Sequence, residues 1–385
     1  MQAFEFHNPT RIVFGEGRIR DLDRLVPPGA KVLILVGGAS AERTGTLSEV
    51  RQALGSRVHA TFSGIEPNPT FETLMKAVEQ VRAGGFDFLL AVGGGSVVDG
   101  TKFVAAAVPF EGDPWQILVQ RGQGVKAALP FAAVLTLPAT GSEMNSGSVV
   151  SRKSTGEKLF FGSPLVFPRF SVLDPAKTLT LPPRQVANGI VDAFVHVMEQ
   201  YMTYPAGGHV QDRFAEGILS TLMELGPRAL SEPGNLEVRA SLMWAATLAL
   251  NGLLGAGVPW DGATHMVGHE LTALHGIDHA RTLAVVLPSL LDVRFEAKRA
   301  KLAQFATRVL NIQEGSEAER ARGAIEGIRA FFEALDVPTH LSAYQLGAEV
   351  IPAVLTQLEA HGMTALGERR DQTLEMSRAI LQGAL

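Results

Sequence analysis

Residues 86–99 read FDFLLAVGGGSVVD. The run from Phe86 to Val92 is apolar and strand-like, Gly93-Gly94-Gly95-Ser96 closes it, and residues 97–107 continue with helical spacing. Moving outward, residues 70–83 (TFETLMKAVEQVRA) carry a 3.6-residue period, with Thr70 placed as an N-cap. Before them, residues 31–36 (KVLILV) form a short run rich in β-branched side chains, ended by Gly37-Gly38. On the other side, residues 131–137 (FAAVLTL) read as a third strand. Apolar strands alternating with helices predict a parallel sheet covered by helices.

After Pro182-Pro183 the strand signals fade, and helical patterns are expected over 184–202, 210–225, 236–255, 260–274, 296–309 and 318–335. Tandem prolines suit the first turn of a helix. The expected organisation is therefore an α/β nucleotide-binding domain over residues 1–182 and an all-helical domain over 183–385. The net charge of -5 offers no broad basic surface for nucleic acid or anionic lipid. With no cysteine in the chain, disulfides, thiolate nucleophiles and cysteine-bound metals are excluded. The start, MQAFEFHNPTRIVFG, lacks the basic and apolar regions of a signal peptide, and no apolar run is long enough for a membrane span. A cytoplasmic location is expected.

Histidines are unevenly spread. Asp192 and His196 stand four residues apart, on one face of a helix, among Ile190, Val191, Phe194, Val195 and Val197. Such a pair can grip a divalent cation or merely bond within the helix, and burial of the aspartate without a partner would be costly. Residues 264–281, THMVGHELTALHGIDHAR, hold His265 and His269 at one four-residue spacing and His275 and His279 at another, with Gly276 between. A break at Gly276 would fold His279 back toward His265. The spacing predicts Asp192, His196, His265 and His279 as the ligands of one metal, and imidazoles with a carboxylate suit Fe(II) or Zn(II) better than calcium or magnesium. His269 and His275 remain as supporting groups, proton relays or packing residues.

Three loops at strand ends are candidate cofactor contacts. Gly94, Gly95 and Ser96 open a helix, where backbone N–H groups favour phosphate, although an ordinary turn would use the same residues. The loop 136–143 (TLPATGSE) is dense in hydroxyls, with Thr136, Thr140 and Ser142 as candidates. In the loop 37–43 (GGASAER) no acid lies between Gly37 and Ala41 to hold a ribose 2′-hydroxyl; Gly37, Gly38, Ser40 and nearby Arg43 suit a 2′-phosphate, which favours NADP(H), while Glu42 is compatible with either cofactor.

Taken together, these motifs resemble the iron-containing (group III) alcohol dehydrogenases, in particular the bacterial NADPH-dependent aldehyde reductase/butanol dehydrogenase branch. The resemblance runs through NPTRIVFG at 8–15, EPNP at 66–69, GGGSVVD at 93–99, TLPATGSE at 136–143, LDP at 173–175, TLPPRQVANGIVDAFVH at 180–196 and the His265–His279 segment. It implies an α/β domain and a helical domain with the active site in the cleft between them, hydride transfer between NADP(H) and small alcohols or aldehydes, and a homodimer. It implies the metal role for Asp192, His196, His265 and His279, and cofactor roles for Gly37, Gly38, Ser40, Gly94, Gly95, Ser96, Asp99, Thr136, Thr140 and Ser142. By the same resemblance Asn145, Lys158 and Leu179 are further cofactor contacts, and His269 stands beside the nicotinamide within a proton relay. Ala39 departs from the glycine of close relatives. Two other readings stand beside it: a metal- and NAD-using cyclase resembling dehydroquinate synthase, and a non-enzymatic metal- or nucleotide-binding module.

Overall fold

The computed structural model describes residues 1–385. Eight strands form: β1 (Arg11–Phe14), β2 (Val32–Val36), β3 (His59–Phe62), β4 (Phe88–Gly94), β5 (Phe131–Leu137), β6 (Gly147–Arg152), β7 (Glu157–Gly162) and β8 (Phe170–Leu173). Six make one sheet in the order β1-β8-β5-β4-β2-β3, and its pairings are all parallel. β6 and β7 pair separately as an antiparallel hairpin.

The period of two explains why these strands read as unbroken apolar runs. Leu33, Leu35, Leu89, Ala91, Phe131 and Ala133 pack into a core on one face. Val32, Ile34, Val36, Leu90, Val92, Ala132 and Val134 pack on the other. Both faces are covered, so neither can carry polar side chains. Thr70 caps the Phe71–Gly84 helix by accepting a hydrogen bond from Thr73 N, as its sequence position predicts. Chain order reverses between β2 and β4, since β3 lies outside β2 and β4 returns to its inner side. At such a switch point the strands' carboxyl ends leave a crevice for a ligand. Gly37-Gly38 follows β2, and Gly95-Ser96 opens the helix that follows β4.

The chain divides into two compact units. One comprises His7–Leu181 with Gly234–Thr247; the other comprises Met1–Phe6, Pro182–Pro233 and Leu248–Leu385. Most of the helix Leu236–Ala249 belongs with the α/β unit, for a packing reason. Met243 sits against Leu135 and Leu173, Trp244 meets Phe14 edge to face, and the Thr247 hydroxyl donates to Glu143 Oε1 at 2.6 Å. The other unit is helical, with long members Pro183–Tyr201, His209–Ser231, Ala263–His275, His279–Val293, Phe295–Arg308 and Glu317–Ala334. The His209–Ser231 helix runs through Pro227 rather than stopping near residue 225. No helix is long and apolar enough to cross a membrane.

A candidate metal centre and cofactor loops

The helix Pro183–Tyr201 presents Asp192, His196 and Glu199 at i, i+4 and i+7, a single stripe, and all three are buried. The next part of the cluster comes from a helical hairpin. Ala263–His275 ends at Gly276, whose φ of 68° is left-handed, and His279 begins the following helix. The helices approach closely: a Cβ on Gly268 would lie 3.0 Å from both Thr282 Oγ1 and Leu283 Cδ2. Asp278 ties the turn down, accepting from Arg184 Nε at 2.8 Å and Asn188 Nδ2 at 2.9 Å. Burial alone would raise the Asp278 carboxyl, but these bonds and the Arg184 charge hold it below its ordinary value.

This framework brings the four predicted ligands together. Asp192 Oδ1 lies 3.9 Å from His196 Nε2, 3.9 Å from His265 Nε2 and 3.6 Å from His279 Nε2. These separations are too long for hydrogen bonds, so the helix-internal Asp192–His196 bond that the spacing also permits does not form. They are close to the roughly 3.4 Å between ligand atoms of a tetrahedral ion with bonds of about 2.1 Å. Donor atoms of Asp192, His265 and His279 all lie within 4.8 Å of one another. His196 lies outside that mutual set and joins through Asp192 and by stacking on His265, ring centres 4.6 Å apart. Asp192 Oδ1 is buried and accepts no hydrogen bond. A buried carboxylate oxygen ringed by imidazole nitrogens fits a divalent cation, which would compensate its lost hydration.

Glu199 escaped the sequence reading. Its Oε2 lies 2.6 Å from His265 Nδ1, and its Oε1 accepts from the His265 backbone N–H at 3.0 Å. Burial would raise its carboxyl, but the His265 ring and these bonds hold it below the ordinary value. An ionised acceptor assigns the His265 proton to Nδ1 and the lone pair to Nε2, the atom nearest Asp192. The signal in sequence was the D-x3-H-x2-E spacing of 192–199, three positions of one helix face.

His269 is buried, with its ring 5.0 Å from that of His279 and 6.1 Å from that of His265. His275 is the last residue of its helix, nearly two turns beyond His269. Phe161 is core, Leu254 is buried but lines a cavity with Tyr201, Tyr204 and His209, and Phe160 and Trp260 are about half exposed.

In the α/β unit the candidate loops abut. A Cβ on Gly94 would lie 3.1 Å from Leu137 Cβ, and one on Gly95 would lie 2.3 Å from Thr140 Oγ1. The Gly95–Ala107 helix starts with no side-chain cap and no acid in its first turn, leaving its N-terminal N–H groups for an anion. Asp99 accepts from Ser142 Oγ at 2.5 Å and Val149 N at 2.9 Å. Lys158 Nζ donates to Asn68 Oδ1 at 2.9 Å, and Asn68 N donates to Ser96 Oγ at 3.3 Å. Thr136 and Asn145 flank the same loop, and Leu179 follows the turn Pro175–Thr178. Gly38, Ser40 and Arg43 are exposed beyond β2, and Glu42 is engaged by Arg51 at 3.3 Å. Gly95→Ala would force Thr140 aside; it is expected to cost about 1–3 kcal/mol by chemical denaturation, as overpacking does.

An α/β unit with glycine loops at the carboxyl ends of β2 and β4, and a helical unit with an Asp/His cluster, define a nucleotide-linked metalloenzyme of the dehydrogenase type. The sequence matches the family descriptions "Iron-containing alcohol dehydrogenase" over residues 9–175 and "Fe-containing alcohol dehydrogenase family, C-terminal" over residues 186–381, and the chain belongs to this family. Among its relatives, NADPH-dependent aldehyde reductase YqhD of Escherichia coli (strain K12) is 60% identical, with 100% of each chain covered. Probable NADH-dependent butanol dehydrogenase 1 of Bacillus subtilis (strain 168) is 39% identical, again over 100% of each. The crystal structure of E. coli K-12 YqhD superposes with a TM-score of 0.99 at 59% identity, covering 100% of this chain and 99% of that one. The expectation drawn from the motifs is thus met at the level of family and fold. The cyclase reading is not favoured.

Proposed function

We propose that this enzyme reduces small aldehydes to alcohols with NADPH and a divalent metal, Fe(II) or Zn(II), and that it runs the reverse oxidation when driven. The observation that carries the reading is the Asp192 carboxylate oxygen, buried without a hydrogen-bond donor among three imidazoles. Asp192, His196, His265 and His279 would hold the ion. When bound, the metal supplies Lewis acidity toward a carbonyl oxygen, and NADPH supplies the hydride.

The chain's own side chains do the rest. Glu199 keeps His265 in the tautomer that offers Nε2. His269 is assigned the proton delivered to the product oxygen, in keeping with its burial beside His279. Gly94, Gly95 and Ser96 at the uncapped helix start would hold the pyrophosphate, and Thr136, Thr140, Ser142, Asn145, Lys158 and Leu179 the ribose and nicotinamide, with Asp99 keeping that loop in place. Gly37, Gly38 and Ser40, with Arg43, would take the 2′-phosphate, and the Glu42 carboxylate on the same loop is engaged by Arg51. The functional division is placed near residue 182, with nucleotide binding before it and metal and substrate binding after it. A cytoplasmic homodimer fits the reading.

A cofactor-site variant checks the nucleotide assignment. A Cβ on Gly38 meets nothing within 4 Å, so Gly38→Asp fits sterically while adding negative charge where the 2′-phosphate would sit. The ratio of kcat/KM for NADPH over NADH should fall by about tenfold or more. The decisive test is metal analysis of protein purified without chelators, joined to the loss of nicotinamide absorbance with butanal. Net consumption of NADPH by metal-loaded protein is expected; a cyclase would regenerate its cofactor and show none, and the proposal would fall.

A further inference from the structure

We propose that Lys102 is a positioning residue for the nicotinamide-side loop: its ammonium clamps residues 142–147 onto the Gly95–Ala107 helix in the geometry that NADPH requires. The proposal rests on the cofactor reading above and extends it to a side chain outside that set.

Lys102 is fully buried, on the helix that follows the glycine turn. Its Nζ donates to Ser142 Oγ at 2.8 Å, Asn145 Oδ1 at 2.8 Å and Gly147 O at 2.7 Å, three acceptors for the three hydrogens of an ammonium. The Ser142 hydroxyl in turn donates a hydrogen bond to Asp99 Oδ1, one turn before Lys102 on the same helix. Asp99 also accepts from Val149 N and, at its carbonyl, from Ser148 Oγ, so Asp99 and Lys102 together grip the chain at five places between Ser142 and Val149. That segment has little regular structure of its own, one 3-10 turn at Ser142–Met144 and the first residues of β6. A buried lysine costs far more than an apolar side chain of its length, so packing alone gives no reason for one here. Two of the three groups it holds, Ser142 and Asn145, are proposed cofactor contacts.

The charges around Lys102 are Asp99 on its own helix and Glu143 on the loop, with Lys158 acting on Asp99 from β7. Burial brings the Lys102 ammonium down to about 8, against the opposing pull of Asp99 and Glu143. Above that pH the amine keeps two hydrogens for three acceptors, and the clamp loosens. The unfolded chain keeps its proton to higher pH, so this group favours the folded state increasingly as pH rises past about 8. Cofactor affinity and this contribution to stability therefore change in opposite directions.

The test uses the full chain and NADPH itself. Binding is followed by nicotinamide fluorescence, and order in residues 139–149 by hydrogen exchange without ligand. In Lys102→Met the dissociation constant and the KM for NADPH should rise by about tenfold or more, with exchange accelerated in that segment, bound metal unchanged and kcat at saturating NADPH within about twofold of the parent. Wild-type affinity should weaken as pH rises through about 8. Folded Lys102→Met that binds NADPH as tightly as the parent overturns the proposal. If that variant does not fold, Lys102→Gln decides, and parental NADPH affinity in folded Lys102→Gln overturns it equally. Failure of the wild-type protein to bind NADPH at any pH would instead remove the cofactor reading.

Discussion

Protein carrying His265→Ala is expected to lose its bound metal and to reduce aldehydes at least about a thousandfold more slowly, equal to ~4 kcal/mol of transition-state stabilisation. The substitution deletes the imidazole whose Nε2 is 3.9 Å from Asp192 Oδ1 and the ring on which His196 stacks. It also removes the Nδ1 partner of Glu199 Oε2 while leaving the backbone N–H on Oε1, so a buried carboxylate oxygen loses its hydrogen bond. Elemental analysis and steady-state rates on protein with unchanged far-ultraviolet circular dichroism make the check. A full complement of metal with parental activity would mean that these histidines are structural.

Glu199→Gln is expected to weaken metal affinity by about 10- to 100-fold, the range seen when a group that orients a ligand is changed. Glu199 accepts two hydrogen bonds from one residue, the His265 backbone N–H and ring Nδ1. Glutamine is isosteric but offers a single acceptor oxygen, and its amide hydrogens must meet one of those donors. Either His265 adopts the tautomer with its lone pair on Nδ1, turning a proton toward Asp192, or a buried donor goes unpaired at about 1–3 kcal/mol. The negative charge that balances a dication is lost as well. Competition against a chelator, at a pH where the parent is fully loaded, measures the effect. Equal affinity in parent and variant would show that Glu199 merely packs, and an NADPH dissociation constant that stays constant separates this loss from general damage.

The fold was legible where local chemistry is strong. Residues 131–137 form a strand over the residues expected, and helix 71–84 begins after its Thr70 cap, because alternation, capping and a glycine stop all agree there. The four-residue strands β1 and β8 escaped notice, since Arg11–Phe14 and Phe170–Leu173 are too short to show a period and become strands only by pairing with each other and with β5. The hairpin of β6 and β7 was missed because its alternation is broken: Ser148 is buried and Phe160 is exposed, the reverse of what their polarity suggests.

For the site, the sequence alone determined which residue types could meet. Helical geometry puts Asp192 beside His196 and His265 beside His269, and Gly276 ends one helix whatever surrounds it. The tertiary structure decided the rest. Arg184 and Asn188 hold Asp278, the turn at 276–278 aims His279 back at Asp192, and Glu199 reaches His265 across 66 positions of chain. Lys102 belongs to the same class, an apolar-helix lysine whose partners lie 40 to 45 residues further on. The physical reason is range: periodicity and capping act within a few residues, whereas a buried charge selects its partners only once packing has removed water and brought distant segments within hydrogen-bond reach.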